Sequence, residues 1–351
     1  MANTAFNGSD LLSGVKILEF SAIGPVPWGV SLLVDLGATV TRICRPPVAQ
    51  DTNQSSKPAD AMSERGRHDV FLDLKSQADR ELALKLVQEH DVLIEGMRPG
   101  VMERLGLSPA QCAKVHPALV YARVTGWGQE GPLALRAGHD INYIALSGAL
   151  HAIGPKDGPP TIPLNLVGDY GGGGAFMLIG ILGGLLKARA TGQGSVLDIA
   201  MIDGAARQMG LAYERLGIGQ WVDKRGSNML DGGSPWYSVY QTRCGGFMAV
   251  GAIEQQFYDE LLIGLELDPQ TLPDRHDQTH WDALRQVFST QFLTRSRAEW
   301  AEIFDPKDAC VSPVLSISEA PDHPHNQARN AFVTGVNGTK LPACAPRAQP
   351  I

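Results

Sequence analysis

Two ionisable side chains, each at the mouth of an apolar run with helical spacing, are the residues of this sequence best suited to chemistry. His139 opens "HDINYIALSG", with Asp140 beside it, and thirty residues later Asp169 opens "DYGGGGAFMLIGILGGLL". An imidazole takes or gives a proton near neutral pH, and a carboxylate does the same when burial raises its pKa. Such a pair suits proton transfer to and from a carbon. On the residues alone, quieter roles stay open. A His-Asp pair ahead of a helix is commonly a cap with a surface histidine, and an aspartate before four glycines also serves as an N-cap. Glycines 171 to 174 let the backbone approach closely, so amides there are expected to offer donors to developing negative charge. The run lacks the lysine of a P-loop and the G-x-G-x-x-G spacing, so no nicotinamide or flavin is implied.

The elements that must position these residues alternate short β-type runs with longer helical ones. "VKILEF" (15–20) reads as a strand, "WGVSLLVDLG" (28–37) as a helix closed by glycine, and "ATVTRIC" (38–44) as the next strand. "HDVFLDL", a Ser-capped helix in "SQADRELALKLVQEH", then "DVLIE" and "ALVYARVTGWG" continue the alternation. The pattern predicts an α/β fold whose Rossmann-like large domain holds a mostly parallel sheet with helices on both faces. After "GSVLDIAMIDGAARQMG" the texture changes. "SPWYSVYQTRCGGFMAVGAIEQQFYDELLIGL" reads as strand, Cys-Gly-Gly turn, strand and helix, residues 270–300 as helical, and "DACVSPVLSISEAPDHPHN" as a returning connection. The expected organisation is a large α/β domain over 1–200 completed by 320–351, a linker helix over 201–225, and a small α+β domain over 226–319.

Composition narrows the class. The chain has 351 residues, enough for two domains, with 44% hydrophobic and 19% charged residues, which fits a globular enzyme. A net charge of −7 gives no footprint for nucleic acid. Five cysteines without a C-x-x-C pair suggest reduced thiols and neither a zinc site nor a disulfide framework. The pairs His276 with His280 and His323 with His325 gain no cysteine or carboxylate in a ligand pattern and are expected to be solvated. "MANTAFNGSD" reads as no signal peptide, "RAQPI" as no peroxisomal address, and "AFMLIGILGGLL" as a buried helix too short to cross a bilayer, so a cytoplasmic protein with no membrane partner is expected.

The segments "GVKILEFS", "DLGATVTRICRP", "FLDLK", "DVLIEGMRPGVMERLGL", "YARVTGWGQEGP", "AGHDINYIALSG", "PLNLVGD", "GQGSVLDIAMIDG", "VGAIEQQFY" and "DACVSPV" span nearly the whole chain, and with them it resembles the class III CoA-transferase superfamily, in its α-methylacyl-CoA racemase branch. The resemblance implies an interlocked homodimer acting on an acyl-CoA small molecule. Transferases of the superfamily use the aspartate matching Asp169 as a nucleophile and carry an aromatic residue where this chain has His139. The histidine therefore favours racemisation, in which His139 and Asp169 exchange the α-proton of a thioester through an enolate. Glu254 matches the position that orients the histidine. CoA contacts are implied for Arg45 and for Leu72, Asp73, Leu74 and Lys75, with Arg98 and Arg104 added as basic side chains near strand ends. Gly138, Asp140, Ile141, Asn142 and Tyr143 are assigned to the substrate as neighbours of His139. CoA enters as part of the substrate, with no separate cofactor. The alternatives are CoA transfer through Asp169 and an inactive CoA-binding homologue. Met201, Met209 and Met229 would line an acyl surface or fill the core. The turn "RCGG" replaces a more usual Asp-Gly.

Overall fold

The computed structural model describes residues 8–47 and 61–348, which fall into two compact units. Unit 1 takes the described residues of Met1–Ala149, Pro163–Gly210 and Pro324–Ile351, and unit 2 takes Leu150–Ile162 and Leu211–His323. The short segment Leu150–Ile162, which the sequence reading left in the large domain, thus clusters with unit 2. The stretch expected as one linker helix over 201–225 is two helices, Met201–Gln208 and Gly210–Gly217.

Unit 1 is built on six parallel strands: β1 Lys16–Phe20, β2 Thr39–Cys44, β3 Arg67–Phe71, β4 Val92–Glu95, β5 Val120–Thr125 and β6 Ser195–Ala200. Their order is β3-β2-β1-β4-β5-β6, so the direction of winding reverses between β1 and β4. That reversal opens a crevice at the carboxyl ends of the strands, where open α/β sheets bind ligands. Burial follows position in the sheet. Every residue of the central strands β4 and β5 is buried, whereas the edge strand β3 is largely exposed. Successive side chains of β1 feed opposite faces: Ile17 joins Val26, Val30 and Leu33, while Leu18 and Phe20 join Met102, Leu107 and Tyr121.

Two buried ion pairs anchor the loops at the carboxyl edge. Arg67 on β3 reaches across to Glu19 on β1 at 2.7 Å, both nearly inaccessible, and donates to the Pro27 carbonyl at 2.8 Å, fixing the start of the Pro25–Asp35 helix. Burial pushes the Glu19 carboxyl up, and the Arg67 charge opposes that shift. Glu95 at the end of β4 accepts from Arg123 Nε at 3.1 Å and from the Met97 amide at 2.7 Å, holding the turn that carries Arg98. Breaking a buried pair by removing one partner leaves an uncompensated charge and costs about 3–5 kcal/mol.

Leu166–Thr191 is one continuous 26-residue helical run, long and apolar enough by length and composition to cross a membrane, unlike the shorter apolar run seen in the sequence. Met177, Ile181, Gly184 and Leu185 on one side of it are buried, and a Cβ at Gly184 would stand 2.8 Å from Val120 of β5. The helix therefore packs directly on the Val120 side chain, with no room for a side chain at Gly184.

Unit 2 contains an antiparallel sheet of β7 Tyr237–Gln241, β8 Phe247–Gly251 and β9 Val311–Pro313, in that order. The Cys-Gly-Gly turn joins β7 to β8, with Gly245 at φ 82, a left-handed conformation that glycine adopts at little cost. Helices Gln255–Gly264, Trp281–Phe292 and Arg297–Phe304 cover the sheet. Their core is aromatic: Tyr240 stacks on Phe292 at 5.1 Å, and Trp300 lies edge-on to Phe292 at 5.3 Å while its indole N–H donates to the Phe292 carbonyl.

Candidate active site

His139 is the N-cap residue of the Asp140–Leu146 helix and is exposed. Its backbone amide donates to Asn142 Oδ1 at 3.0 Å, and its carbonyl accepts from the Asn142 amide at 2.8 Å, so Asn142 locks the cap. The loop before it is held by aromatic packing. Tyr143, buried, donates its hydroxyl to the Gly138 carbonyl and meets Trp127 edge-on at 4.8 Å. A Cβ at Gly138 would lie 2.8 Å from the Tyr143 ring and 3.0 Å from Trp127, so glycine is what lets this loop lie flat on the rings. Burial, followed by the charges of Asp169 and Asp140, pushes the Tyr143 hydroxyl up to about 12.

Asp169 lies in a π-helical segment, Leu166–Ala175, in which the Tyr170 amide reaches back to the Asn165 carbonyl at 3.2 Å. π-Turns recur at functional sites because they displace a side chain from the α register. Buried Asp140 ties the two halves together: its Oδ2 accepts from the Asp169 amide at 2.7 Å, although 29 residues separate them. Its Oδ1 is also buried and meets no donor among the described residues. The half-buried Asp169 carboxylate accepts from Asn165 Nδ2 at 3.3 Å and faces Gly24, where a Cβ would come within 3.3 Å of Oδ2. Burial first, and then the Asp140 charge, raise the Asp169 pKa, while the Asn165 donor and the His139 charge lower it. His139 and Asp169 are therefore electrostatic neighbours within unit 1.

The glycines after Asp169 have a packing role that the sequence alone did not show. The Asp169 and Tyr170 amides are occupied by Asp140 and Asn165, and the glycines serve packing. A Cβ at Gly172 would be 2.6 Å from the Met201 carbonyl, one at Gly173 2.7 Å from Pro25, and one at Gly174 2.4 Å from Trp28. The amides of Asp169 and Tyr170 are thus not free to act as donors to developing charge. Trp28 stacks on Tyr170 at 4.8 Å, clamping the Pro25–Asp35 helix to the segment that bears Asp169.

Because the strands are parallel, their carboxyl ends bring several other expected residues to one edge. Arg45 follows β2 and is exposed. Leu72 to Lys75 follow β3, whose Phe71 pairs with Cys44, and Leu72 is buried with its amide on the Cys44 carbonyl at 2.9 Å. The Asp73 carboxylate accepts from the Lys75 amide at 3.1 Å, and Arg80 donates to the Leu74 and Lys75 carbonyls, shaping a turn with the Lys75 side chain exposed. Arg98 follows β4 and is exposed, as is Arg104 at the end of Val101–Arg104. Ile141 and Asn142 sit exposed in the first turn after His139. Glu254 belongs to unit 2, where it is the exposed N-cap residue of Gln255–Gly264 without a side-chain cap bond. Met201 is buried and packs near Gly173, which makes it core.

Gly24 and Asn165 escaped the sequence reading. Gly24 had a signal: glycine at φ 71 immediately before a proline at a helix start. Asn165 had none, since a lone asparagine gives no hint of its partner.

A model of one protein family, described as CoA-transferase family III, matches residues 12–350. The chain belongs to CoA-transferase family III. Among family relatives, a human protein named alpha-methylacyl-CoA racemase is 40% identical over 335 residues, covering 95% of this chain and 86% of the relative. An acetyl-CoA:oxalate CoA-transferase from Acetobacter aceti is 30% identical, covering 94% and 87%. The solved structure of a CAIB/BAIF family protein from Brucella suis superposes with a TM-score of 0.78 at 23% identity, covering 97% of this chain and 93% of that one, which establishes the shared fold.

Proposed function

We propose that the protein interconverts the 2R and 2S forms of 2-methylacyl-CoA thioesters by removing the α-proton and returning one to the opposite face. The observation that carries this reading is the pairing of His139 with a half-buried Asp169 whose pKa is raised by burial. The thioester carbonyl acidifies the α C–H, so the chemistry asks for two acid/base groups and no prosthetic group. For one enantiomer neutral His139 takes the proton, an enolate forms, and protonated Asp169 delivers a proton from the other side. For the other enantiomer Asp169 as carboxylate takes the proton and the imidazolium returns it. The two starting forms carry the same number of protons, differing in which partner holds one. Raising a carboxyl toward the range of an imidazole brings those forms closer in energy, so neither direction is starved of competent enzyme.

Arg45, Lys75 and Arg98, exposed at the carboxyl edge of the sheet, are assigned to the CoA phosphates. For the acyl chain the best candidate is a cavity of about 1080 Å³ in unit 2, walled by Tyr237, Val239, Ala249, Gly251, Cys310 and Trp281. Burial first, then the charges of Asp308 and Glu254, raise the Cys310 thiol, so Glu254 lies within electrostatic reach of that wall. In the interlocked homodimer that the family resemblance implies, Glu254 of one chain orients His139 of the other. Ile179 and Leu186, exposed on the Phe176–Thr191 helix, are offered as surface that a second copy covers.

The competing reading is CoA transfer with Asp169 as nucleophile, favoured by the presence of that aspartate and by the transferase relative. Single-enantiomer kinetics with His139→Ala and Asp169→Ala separate the two. Racemisation requires that both variants lose inversion, each retaining α-proton exchange from one enantiomer at most. An unimpaired His139→Ala that moves CoA to an added acid would establish the transferase instead.

A further inference from the structure

Arg275 stands apart in unit 2 as a charged side chain only 8% exposed, with no carboxylate bonded to it among the described residues. Its guanidinium lies between two rings, 5.2 Å from the Trp236 centroid and 4.3 Å from that of Tyr258. Its Nη1 donates to the Ala252 carbonyl at 3.4 Å and its Nη2 to Gln255 Oε1 at 3.1 Å, while its Nε is buried without an acceptor. Gln255 passes the contact on, donating Nε2 to Asp259 at 2.7 Å. Its own backbone is held as well, since the Trp281 indole donates to the Arg275 carbonyl at 2.9 Å.

All these contacts converge on one short piece of chain. Ala252 and Gln255 flank Ile253 and Glu254, and Tyr258 makes the first helical bond, its amide on the Glu254 carbonyl at 3.0 Å. Glu254 itself is the N-cap residue with extended backbone, φ −71 and ψ 151, and its carboxylate makes no cap bond. An ordinary N-cap side chain would tie that turn down by bonding the amides above it. Here the arginine ties the turn from outside, through the Ala252 carbonyl and the Gln255 side chain, and the Glu254 carboxylate is not engaged in a cap bond.

We infer that Arg275 is a positioning residue that sets the direction of Glu254 by fixing the turn 252–255, an inference that rests on the proposed role of Glu254 in orienting His139. The planar fork explains why arginine occupies the site. It bonds two acceptors at once while its charge lies over two nearly perpendicular rings, which the single ammonium of lysine does not reproduce.

The test compares full-length R275M and R275K with E254Q and the R275M/E254Q pair. Amide hydrogen exchange over 253–258 is expected to speed up in R275M, less in R275K, and not in E254Q. Epimerisation kcat is expected to fall about tenfold in R275M with KM for the acyl-CoA within about twofold, because a misdirected orienting group costs rate. R275K should recover part of the loss. In the E254Q background R275M should add little. Should R275M not fold, R275Q takes its place. Unchanged exchange over 253–258, or losses that simply multiply in the double variant, would overturn the inference. An E254Q enzyme with wild-type kinetics would instead remove the role of Glu254 itself, and the two failures are told apart by that single variant.

Discussion

A methyl group added at Gly204 should misplace Asp169 from a distance. Gly204 lies on the Met201–Gln208 helix, and a Cβ there would sit 2.1 Å from the Gly172 carbonyl oxygen and 2.6 Å from its Cα. Neither obstacle is a flexible side-chain end. Restoring an ordinary contact separates the two backbones by roughly 1 Å, and the π-helical segment bearing Asp169 is one of them. Overpacking of this kind destabilises by about 1–3 kcal/mol. A displacement of about 1 Å in a proton-transfer group costs on the order of a hundredfold in rate. Gly204→Ala is therefore expected to lower the melting temperature by several degrees and kcat/KM for epimerisation by one to two orders of magnitude. Gly217→Ala is the control: it lies at the end of the Gly210–Gly217 helix with nothing within 4 Å of its Cβ position, so it should hold both activity and stability. The assay is chiral resolution of the product with thermal unfolding in parallel. Wild-type stability and rate in Gly204→Ala would refute the claim that this backbone contact sets the position of Asp169.

Asp169→Asn should abolish inversion yet raise the melting temperature at pH 8. The carboxyl pKa is raised in the fold, so its contribution is intact below the unfolded value and lost as pH rises through the folded one. The gain from asparagine must then shrink toward pH 3, and a variant less stable than wild type at pH 8 would contradict the sign. Asn165→Ala removes a donor to the charged form, so the acidic limb of kcat/KM for the enantiomer deprotonated by Asp169 should move to higher pH; no movement, or the opposite one, rules the contact out. Arg45→Ala should raise KM about tenfold with kcat nearly unchanged, since a phosphate contact is made equally in ground and transition states. A fall in kcat alone would take Arg45 out of binding. Co-expressed His139→Ala and Glu254→Ala chains should recover activity absent from either alone, and verified heterodimers without activity would place both residues in service of one chain's site.

The large-domain fold was readable because its strands are bounded by local signals. "DVLIE" became β4 nearly as written, whereas "ALVYARVTGWG" ran past the end of β5 at Thr125; the mostly apolar character of both matches strands buried on both faces. "HDVFLDL" ran too far, because Leu72 to Lys75 leave the sheet in a turn held by Arg80 and Asp79. The capping box of Ser108 and Gln111, which opens Pro109–Val115, was present in the letters "SPAQ" and went unread. His139 and Asp169 stood out by type and place, whereas what couples them did not. The bond from the Asp169 amide to Asp140 joins residues remote in sequence, and π-register is invisible in a glycine-rich apolar run that suits an α-helix equally well. For the same reason the amides of Asp169 and Tyr170 looked open, when Asp140 and Asn165 already hold them. The assignment of Leu150–Ile162 to unit 2 likewise depends on contacts such as Arg225 to the His151 carbonyl, which no local pattern encodes.

The central claim, proton exchange at carbon by a paired histidine and aspartate, is tested most directly by one incubation. A single enantiomer of a 2-methylacyl-CoA is placed with the wild-type protein in deuterated water, with no second carboxylic acid, and the α-carbon is followed by mass and by chirality. The account predicts an inverted product that carries one deuterium at that carbon. Retention of configuration and of the α-proton, with turnover appearing only when an acceptor acid is added, would contradict it.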